Sequence, residues 1–347
     1  MKWIVTHALP PSSLAQALEQ ALLGSGPDAR TTLDQLFEPF VATCLSRDPA
    51  LDGCTPSERV WLETHGCPMT AATQGGLPIG SSMAAWQAGV EDATRPVWVA
   101  QACGTMISAE RASLLPLEDL QANDLELQAL HKAIEPLFEA TGDSLRLEPL
   151  SPGLWRVHGI MPDGTWLATP QAVRGQDLGD WWPTDNIWRP WRKLMNEIQM
   201  CWHEHPVNIQ RQEAGLPTIN SLWLYGGAPG FRAIPEPDVI WIKDLAEPAN
   251  QGDWGRWIEQ YVQVARSLNE QIALLEPQTR QALEIILTGE RRLVHLQLRQ
   301  NTASVAGADM MANWRGRMAR ILSGLRRQTS QNTHQPDQPW SQWWNDA

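Results

Sequence analysis

The sequence predicts an α/β protein, and three observations carry that expectation. Segments with apolar residues every three or four positions, the period of an amphipathic helix, alternate with short apolar runs of strand length. Glycine, proline and small polar residues cluster between them, as turn residues do. The length of 347 residues, with 43% hydrophobic and 19% charged, is enough for a full core. Either one α/β domain over residues 1–327 or two lobes, 1–180 and 181–327, is expected, with a separate tail at 328–347.

The elements follow in chain order. Leu14, Leu18 and Leu22 share a helix face before Gly24, and Leu33, Leu36, Phe37, Phe40, Val41 and Cys44 continue at helical spacing. A third helix opens at Thr55-Pro56-Ser57-Glu58, where Thr caps the backbone, Pro fits the first turn and Glu reaches back; Gly66 ends it. Residues 73–82, TQGGLPIGSS, read as a glycine-rich loop, and 96–100 and 113–117 as short strands. Residues 124–139 carry Leu127, Leu130, Ile134, Leu137 and Phe138 in helical register. Strands are expected at 154–160 and 165–169, joined at Pro162-Asp163-Gly164. The helix over 185–204 presents Trp188, Trp191, Met195, Ile198 and Trp202 as a core-facing stripe. Strands at 219–225 and 239–242, a helix over 254–268 and a hairpin over 283–298 turning at Gly289-Glu290 follow.

The end of the chain differs in character. Residues 310–327 pair Met311, Trp314, Met318, Ile321 and Leu325 with Arg315, Arg317, Arg320, Arg326 and Arg327. This basic amphipathic helix is expected to dock on the protein's own acidic body or, as the rival reading, on an acidic protein partner or a membrane surface. The tail, QTSQNTHQPDQPWSQWWNDA, is rich in Gln, Asn and Pro and is expected to be disordered, with Trp340, Trp343 and Trp344 as a sticky motif within it.

Composition removes several classes of function. A net charge of −12 and a pI near 5.1 lack the cationic field that nucleic-acid binding needs, so no nucleic-acid partner is expected. No apolar run approaches the roughly 18 residues of a membrane span. The start, MKWIVTHALPPSS, is too short in apolar residues to read as a secretory signal, so a cytoplasmic location is expected. The five cysteines form no C-x-x-C pair, so neither a disulfide framework nor a zinc ribbon is indicated.

Site-like chemistry concentrates in residues 196–230, NEIQMCWHEHPVNIQRQEAGLPTINSLWLYGGAPG. His203 and His205 lie two apart, which on a helix points them nearly opposite ways, and Pro206 ends the helix there; no metal or cofactor is expected. Asn196, Gln199 and His203 share the face away from the tryptophan stripe. Asn208 and Arg211 follow on a short helix, and Asn220 and Ser221 open a strand that runs into Gly226-Gly227, where backbone N–H groups can approach an anion. Together with His205 these residues predict a pocket for a small anionic ligand, Arg211 supplying the fixed charge. The competing reading is a polar network that ties helix, loop and strand together.

The string NEIQM…HPVN…R…G…INSLWLYGG resembles the signature of the RpfE-type regulatory proteins of bacteria, a family often labelled phosphoglycerate mutase. Residues 98–117, WVAQACGTMISAERASLLPL, are similar to that family too, and the resemblance spans about residues 55–245. His205-Pro206-Val207-Asn208, Arg211, Gly215 and Asn220 through Gly227 also resemble the H-P-x-N-x-x-R-x-x-x-G…N-x-x-x-x-x-G-x-G block of archaeal-type cofactor-independent phosphoglycerate mutases. That resemblance implies a mostly parallel sheet flanked by helices, alkaline-phosphatase-like but reduced. Pro78-Ile79-Gly80-Ser81-Ser82 is similar to the loop that bears the mutase's nucleophilic serine, which makes Ser81 the weak catalytic candidate, and TPSERVWLETHG resembles the helix before that loop.

The departures point away from catalysis. His7 stands where such mutases place an aspartate ligand after the first strand. Their carboxyl-terminal D-H-x-x-P and G-x-H ligands are matched only by Lys243-Asp244 and Gly252-Asp253-Trp254, with His295 and His334 further on. Two divalent ions need several carboxylates and imidazoles. A non-catalytic regulatory or ligand-binding protein is therefore expected. The alternatives are an active mutase or phosphomonoesterase, and a scaffold acting through the basic helix and tryptophan tail.

Overall fold

The computed structural model describes residues 1–68, 76–91, 94–108, 111–141, 145–159, 161–162, 164–235, 238–299, 331–333 and 342–345. They form a mixed α/β protein with two sheets flanked by helices. The strands are β1 Lys2–Val5, β2 Phe40–Ser46, β3 Trp98–Ile107, β4 Ala112–Leu115, β5 Leu145–Ser151, β6 Leu154–Gly159, β7 Ser221–Gly226, β8 Val239–Ile242, β9 Glu284–Thr288, β10 Arg292–Leu298 and β11 Gln331–Thr333. The chain divides into two compact units, one of Met1–Arg47 with Asp238–Ala347, the other of Asp48–Pro237. The unit boundaries therefore lie at 47/48 and 237/238, and residue 180 falls inside the second unit.

In the first unit the sheet runs β11-β2-β10-β9-β1-β8. Strand β1 pairs in parallel with β8 and β9, and the remaining pairs are antiparallel. In the second, β6 and β7 flank the first half of β3, β4 pairs its far end and β5 follows β6, all antiparallel. Among the described strands parallel pairing is thus confined to β1 and its neighbours, the one other parallel contact being the isolated bridge Leu114 to Arg174. Sequential strands joined by short turns, β9 to β10 and β5 to β6, can only pair antiparallel.

Three local expectations change. Phe40–Ser46 is a strand, not the continuation of a helix: Phe40 and Ala42 alternate inward, and β10 supplies the ladder. Strand β6 pairs backward with β5 through the turn at Gly153, whose φ of +76° suits glycine. Residues 165–169 contribute only the isolated bridge Leu167 to Gly226, and Asp163 lies outside the described residues. The tail expected to be disordered supplies β11, paired to β2, and the helical turn Gln342–Asn345. Trp343 and Trp344 are buried there because large apolar rings gain more from the core than polar flanks lose. The basic helix expected at 310–327 lies outside the described residues.

Each unit has its own core. That of the first gathers Trp3, Val5, Leu33, Phe37, Trp257, Tyr261, Leu296 and Trp344. That of the second gathers Trp98, Val99, Leu130, Ile134, Met195, Trp202, Leu222 and Leu224. Among the described residues no helix is long and apolar enough to cross a membrane.

Candidate functional site

Helix Arg189–His203 buries Trp191, Met195, Ile198 and Trp202, with Trp188 in the turn before it, and the Trp202 indole donates to the Leu130 carbonyl at 2.9 Å. On the other face Asn196 and His203 are exposed, while Gln199 donates to the Ser221 hydroxyl at 3.3 Å. His205 caps helix Pro206–Glu213, its Nδ1 accepting from the Val207 amide.

Asn208, Arg211 and Asn220 are fully engaged with protein groups. Asn208 Nδ2 donates to the Trp202 and Ile219 carbonyls, both at 2.8 Å, and its Oδ1 accepts from the Ile219 amide at 2.9 Å. Arg211, only 1% exposed, donates Nε to the Pro217 carbonyl at 2.8 Å, one terminal nitrogen to both oxygens of Glu126 at 3.0 Å and the other to the Leu120 carbonyl. Asn220 Oδ1 accepts from the Thr105 amide at 2.7 Å, and its Nδ2 returns a bond to the Thr105 carbonyl at 3.0 Å.

The glycine pair serves close packing. The Gly226 and Gly227 amides donate to the Leu167 and Val97 carbonyls at 3.1 and 3.0 Å. A Cβ on Gly226 would stand 2.4 Å from Val97 O, and one on Gly227 2.3 Å from Thr165 O, with φ of +117° and +114°. Arg211 and these glycines therefore form an internal clamp. Buried donors took the nearest carbonyls and carboxylate, as buried polar groups must.

Ser81 sits in the 3₁₀ turn Ile79–Ser82, fully buried. Its Oγ donates to the Pro78 carbonyl at 2.6 Å, and none of its hydrogen-bond partners among the described residues is ionisable. The turn presses on Gly53: a Cβ on Gly80 would lie 2.3 Å from Gly53 backbone atoms. The amide of Thr169 donates to that same Gly53 carbonyl at 2.9 Å.

Beside this turn stands a group of carboxyls that sequence reasoning did not select. Glu58 Oε2 accepts from the Thr55 amide at 2.8 Å, the Thr55 hydroxyl at 3.0 Å and the Thr169 hydroxyl at 2.7 Å. Burial raises the Glu58 pKa above its ordinary value, the bonds from Thr55 and Thr169 oppose that rise, and the Glu118 charge adds to it. Glu118 in turn accepts from Gln101 at 3.3 Å and Gln171 at 2.9 Å. The Tyr225 hydroxyl donates to Gln87, and burial pushes its phenol well up. Only the Thr55-x-x-Glu58 spacing was visible in sequence. That Thr169 and Glu118 stand beside it follows from the fold.

No three metal-ligating side chains converge among the described residues. His7, at the end of β1, adopts a left-handed φ of 57°. Asp253 accepts from the Arg256 amide at 3.0 Å as the cap of helix Trp254–Leu274. His295 lies 3.5 Å from Glu284, and burial lowers its pKa.

The chain matches no family model and no curated protein. Among solved structures it is similar to the cofactor-independent phosphoglycerate mutase of Thermoplasma acidophilum, at 12% identity and a TM-score of 0.31 over 87% of this chain and 90% of that one. It is also similar to a protein of Pyrococcus horikoshii, at 11% identity and a TM-score of 0.41 over 88% of each chain. At these values neither likeness assigns an activity to this chain.

Proposed function

We propose that this chain is a non-catalytic regulatory or ligand-binding protein of phosphoglycerate-mutase-like ancestry, acting in the cytoplasm. The observation that carries the reading is the state of Ser81, whose loop is similar to the one that bears the mutase nucleophile: it is buried and donates its hydroxyl to the Pro78 carbonyl. A serine attacks phosphate only when a base, a lowered pKa or a metal activates it, and none of its partners is suited to that. Asp253, in the carboxyl-terminal region where a ligand is wanted, is engaged in capping a helix. The regulatory half of the reading rests on the resemblance of residues 196–227 to the RpfE-type proteins. Burial of Trp343 and Trp344 speaks against a scaffold that works through a free tryptophan tail.

The test is turnover of 3-phosphoglycerate and of p-nitrophenyl phosphate by purified protein with added manganese. No activity above background is expected. Metal-dependent turnover that disappears in a folded Ser81→Ala variant would overturn the proposal and restore the enzyme reading.

A further inference from the structure

Side chains along a strand point alternately to the two faces of its sheet. In the first unit Trp3, Ile285, Leu296 and Ala42 are cross-strand neighbours on one face. They join an apolar cluster with Leu22, Leu33 and Trp257 of helices Ala15–Gly24, Pro27–Phe37 and Trp254–Leu274, so those helices lie on that face. The opposite face carries the row Ile4, Ile286, His295 and Thr43, with Leu293 and Leu45 in the next row. Ile4, Ile286 and Leu293 are buried, yet none of them belongs to the cluster on the first face or to that of the second unit. Val41, Thr43 and Leu45 of β2 are half-buried there.

Strand direction identifies what crosses this second face. Strands β1, β2, β8 and β9 point one way, β10 and β11 the other. The connections from β1 to β2 and from β8 to β9 each join strands of like direction, step the same way along the sheet and cross its first face through the helices just named. The connection from β10 to β11, residues 300–330, also joins strands of like direction and steps the same way, past β2. Its strands run opposite to those of the other two connections, so it has the same hand only if it crosses the second face. Such crossovers share the right hand in about 98% of cases.

The sequence of the connection fits that course. A helix over 310–327 would rise about 27 Å, enough to return along β10, whose seven residues span about 23 Å. Met311, Trp314, Met318, Ile321 and Leu325 recur every three or four positions, and Arg320, Arg326 and Arg327 fall on the other side. We propose that the second face of this sheet, over Val41, Thr43, Leu45 and Leu293, is the docking surface for residues 310–327 of the same chain. The apolar stripe packs on the strands, and the arginines stay at the surface. Apolar burial, and not attraction of the arginines to the acidic body, holds the segment in place.

The experiment puts the photo-crosslinker p-benzoylphenylalanine into the full chain in place of Thr43 or Gln297, on the second face, or of Gln263, carried by helix Trp254–Leu274 on the first. Gln297 and Gln263 are exposed, so probes there leave the packing intact. Benzophenone prefers methionine C–H bonds, which makes Met311 and Met318 ready acceptors, and mass spectrometry maps the attachment. Attachment to residues 310–327 of the same chain is expected from Thr43 and Gln297, at tenfold or more the yield from Gln263. Met318→Asp/Ile321→Asp, which charges the stripe, should cut that yield at least tenfold, whereas Arg320→Glu/Arg327→Glu should leave it unchanged. Attachment from Gln263 instead, cross-links only between two chains, no attachment from either probe on the second face, or loss of yield in the arginine variant alone overturns the proposal. The readout is the place of a cross-link and not turnover, so it stands or falls separately from the role given to Ser81.

Discussion

Arg211 shows how a residue with ligand-binding chemistry becomes architecture. Its fork spans a carboxylate and two carbonyls contributed by separate segments, and Glu126 also accepts from the Asn123 amide as half of a capping box. Lys keeps the charge but cannot reach all of these groups. Each abandoned buried acceptor costs about 1–3 kcal/mol. Arg211→Lys is therefore expected to lose about 2 kcal/mol or more, while phosphate and phosphoglycerates leave the wild-type melting midpoint unchanged. A variant of wild-type stability, or a midpoint raised by these anions, would return Arg211 to ligand binding. Glu58 makes a second prediction at this scale, through pH. Its folded pKa lies above the ordinary 4.5, so between 4.5 and the folded value the native state holds a proton that the unfolded chain has released. The stabilisation is full below 4.5 and is lost as pH rises through the folded pKa. Glu58→Gln keeps an acceptor for Thr55 and Thr169 without the titration. Its stability relative to wild type should therefore rise with pH across that window in urea denaturation, and parallel curves would mean that the carboxyl is not strained.

Among the elements, those with strong local signals were legible from sequence and those fixed by distant partners were not. The capping boxes at Thr55–Glu58 and Asn123–Glu126 satisfy the helix amides they precede, and the helices start there. The tryptophan and methionine stripe of helix Arg189–His203 is buried along its length, because its period matches the helix. Phe40–Ser46 satisfies both periods: Phe37, Phe40, Val41 and Cys44 fit a helix, while Phe40 and Ala42 fit a strand. The choice is made by β10, some 250 residues away in sequence on the scale of whole-fold pairing that local propensity does not encode. The partners of the candidate site residues were hidden for the same reason. Asn208, Arg211 and Asn220 were correctly marked as unusual polar positions, but their partners at Ile219, Glu126 and Thr105 could not be seen in the local pattern. Trp202→Ala, which empties a fully buried site and removes the bond to the Leu130 carbonyl, should cost about 3–5 kcal/mol. A loss below about 1 kcal/mol in denaturant unfolding would show that the stripe does not carry the packing.

At the scale of the whole molecule the division into units follows from how the chain closes its sheets. Strand β1 at the amino terminus pairs with β8 and β9 from the carboxyl-terminal half, so the first unit is built from both ends of the chain. The second is continuous. Hydropathy along a sequence does not reveal such a discontinuous unit. The last residues complete the first unit: Trp344 packs against Trp257 and Tyr261, Trp343 against Phe37, and Arg292 donates to the Trp344 carbonyl at 2.9 Å. Trp344→Ala should therefore destabilise that unit by about 3–5 kcal/mol. The second unit should not need those residues, since its hydrophobic cluster draws only on residues 54–231. A fragment of residues 48–237 is then expected to fold alone, as a compact unit with its own core can. Cooperative urea unfolding together with a near-ultraviolet circular dichroism signal from Trp98, Trp191, Trp202 and Trp223 would show this. A fragment with helical far-ultraviolet signal but no fixed aromatic environment would instead mean that the second core depends on the first unit for its packing.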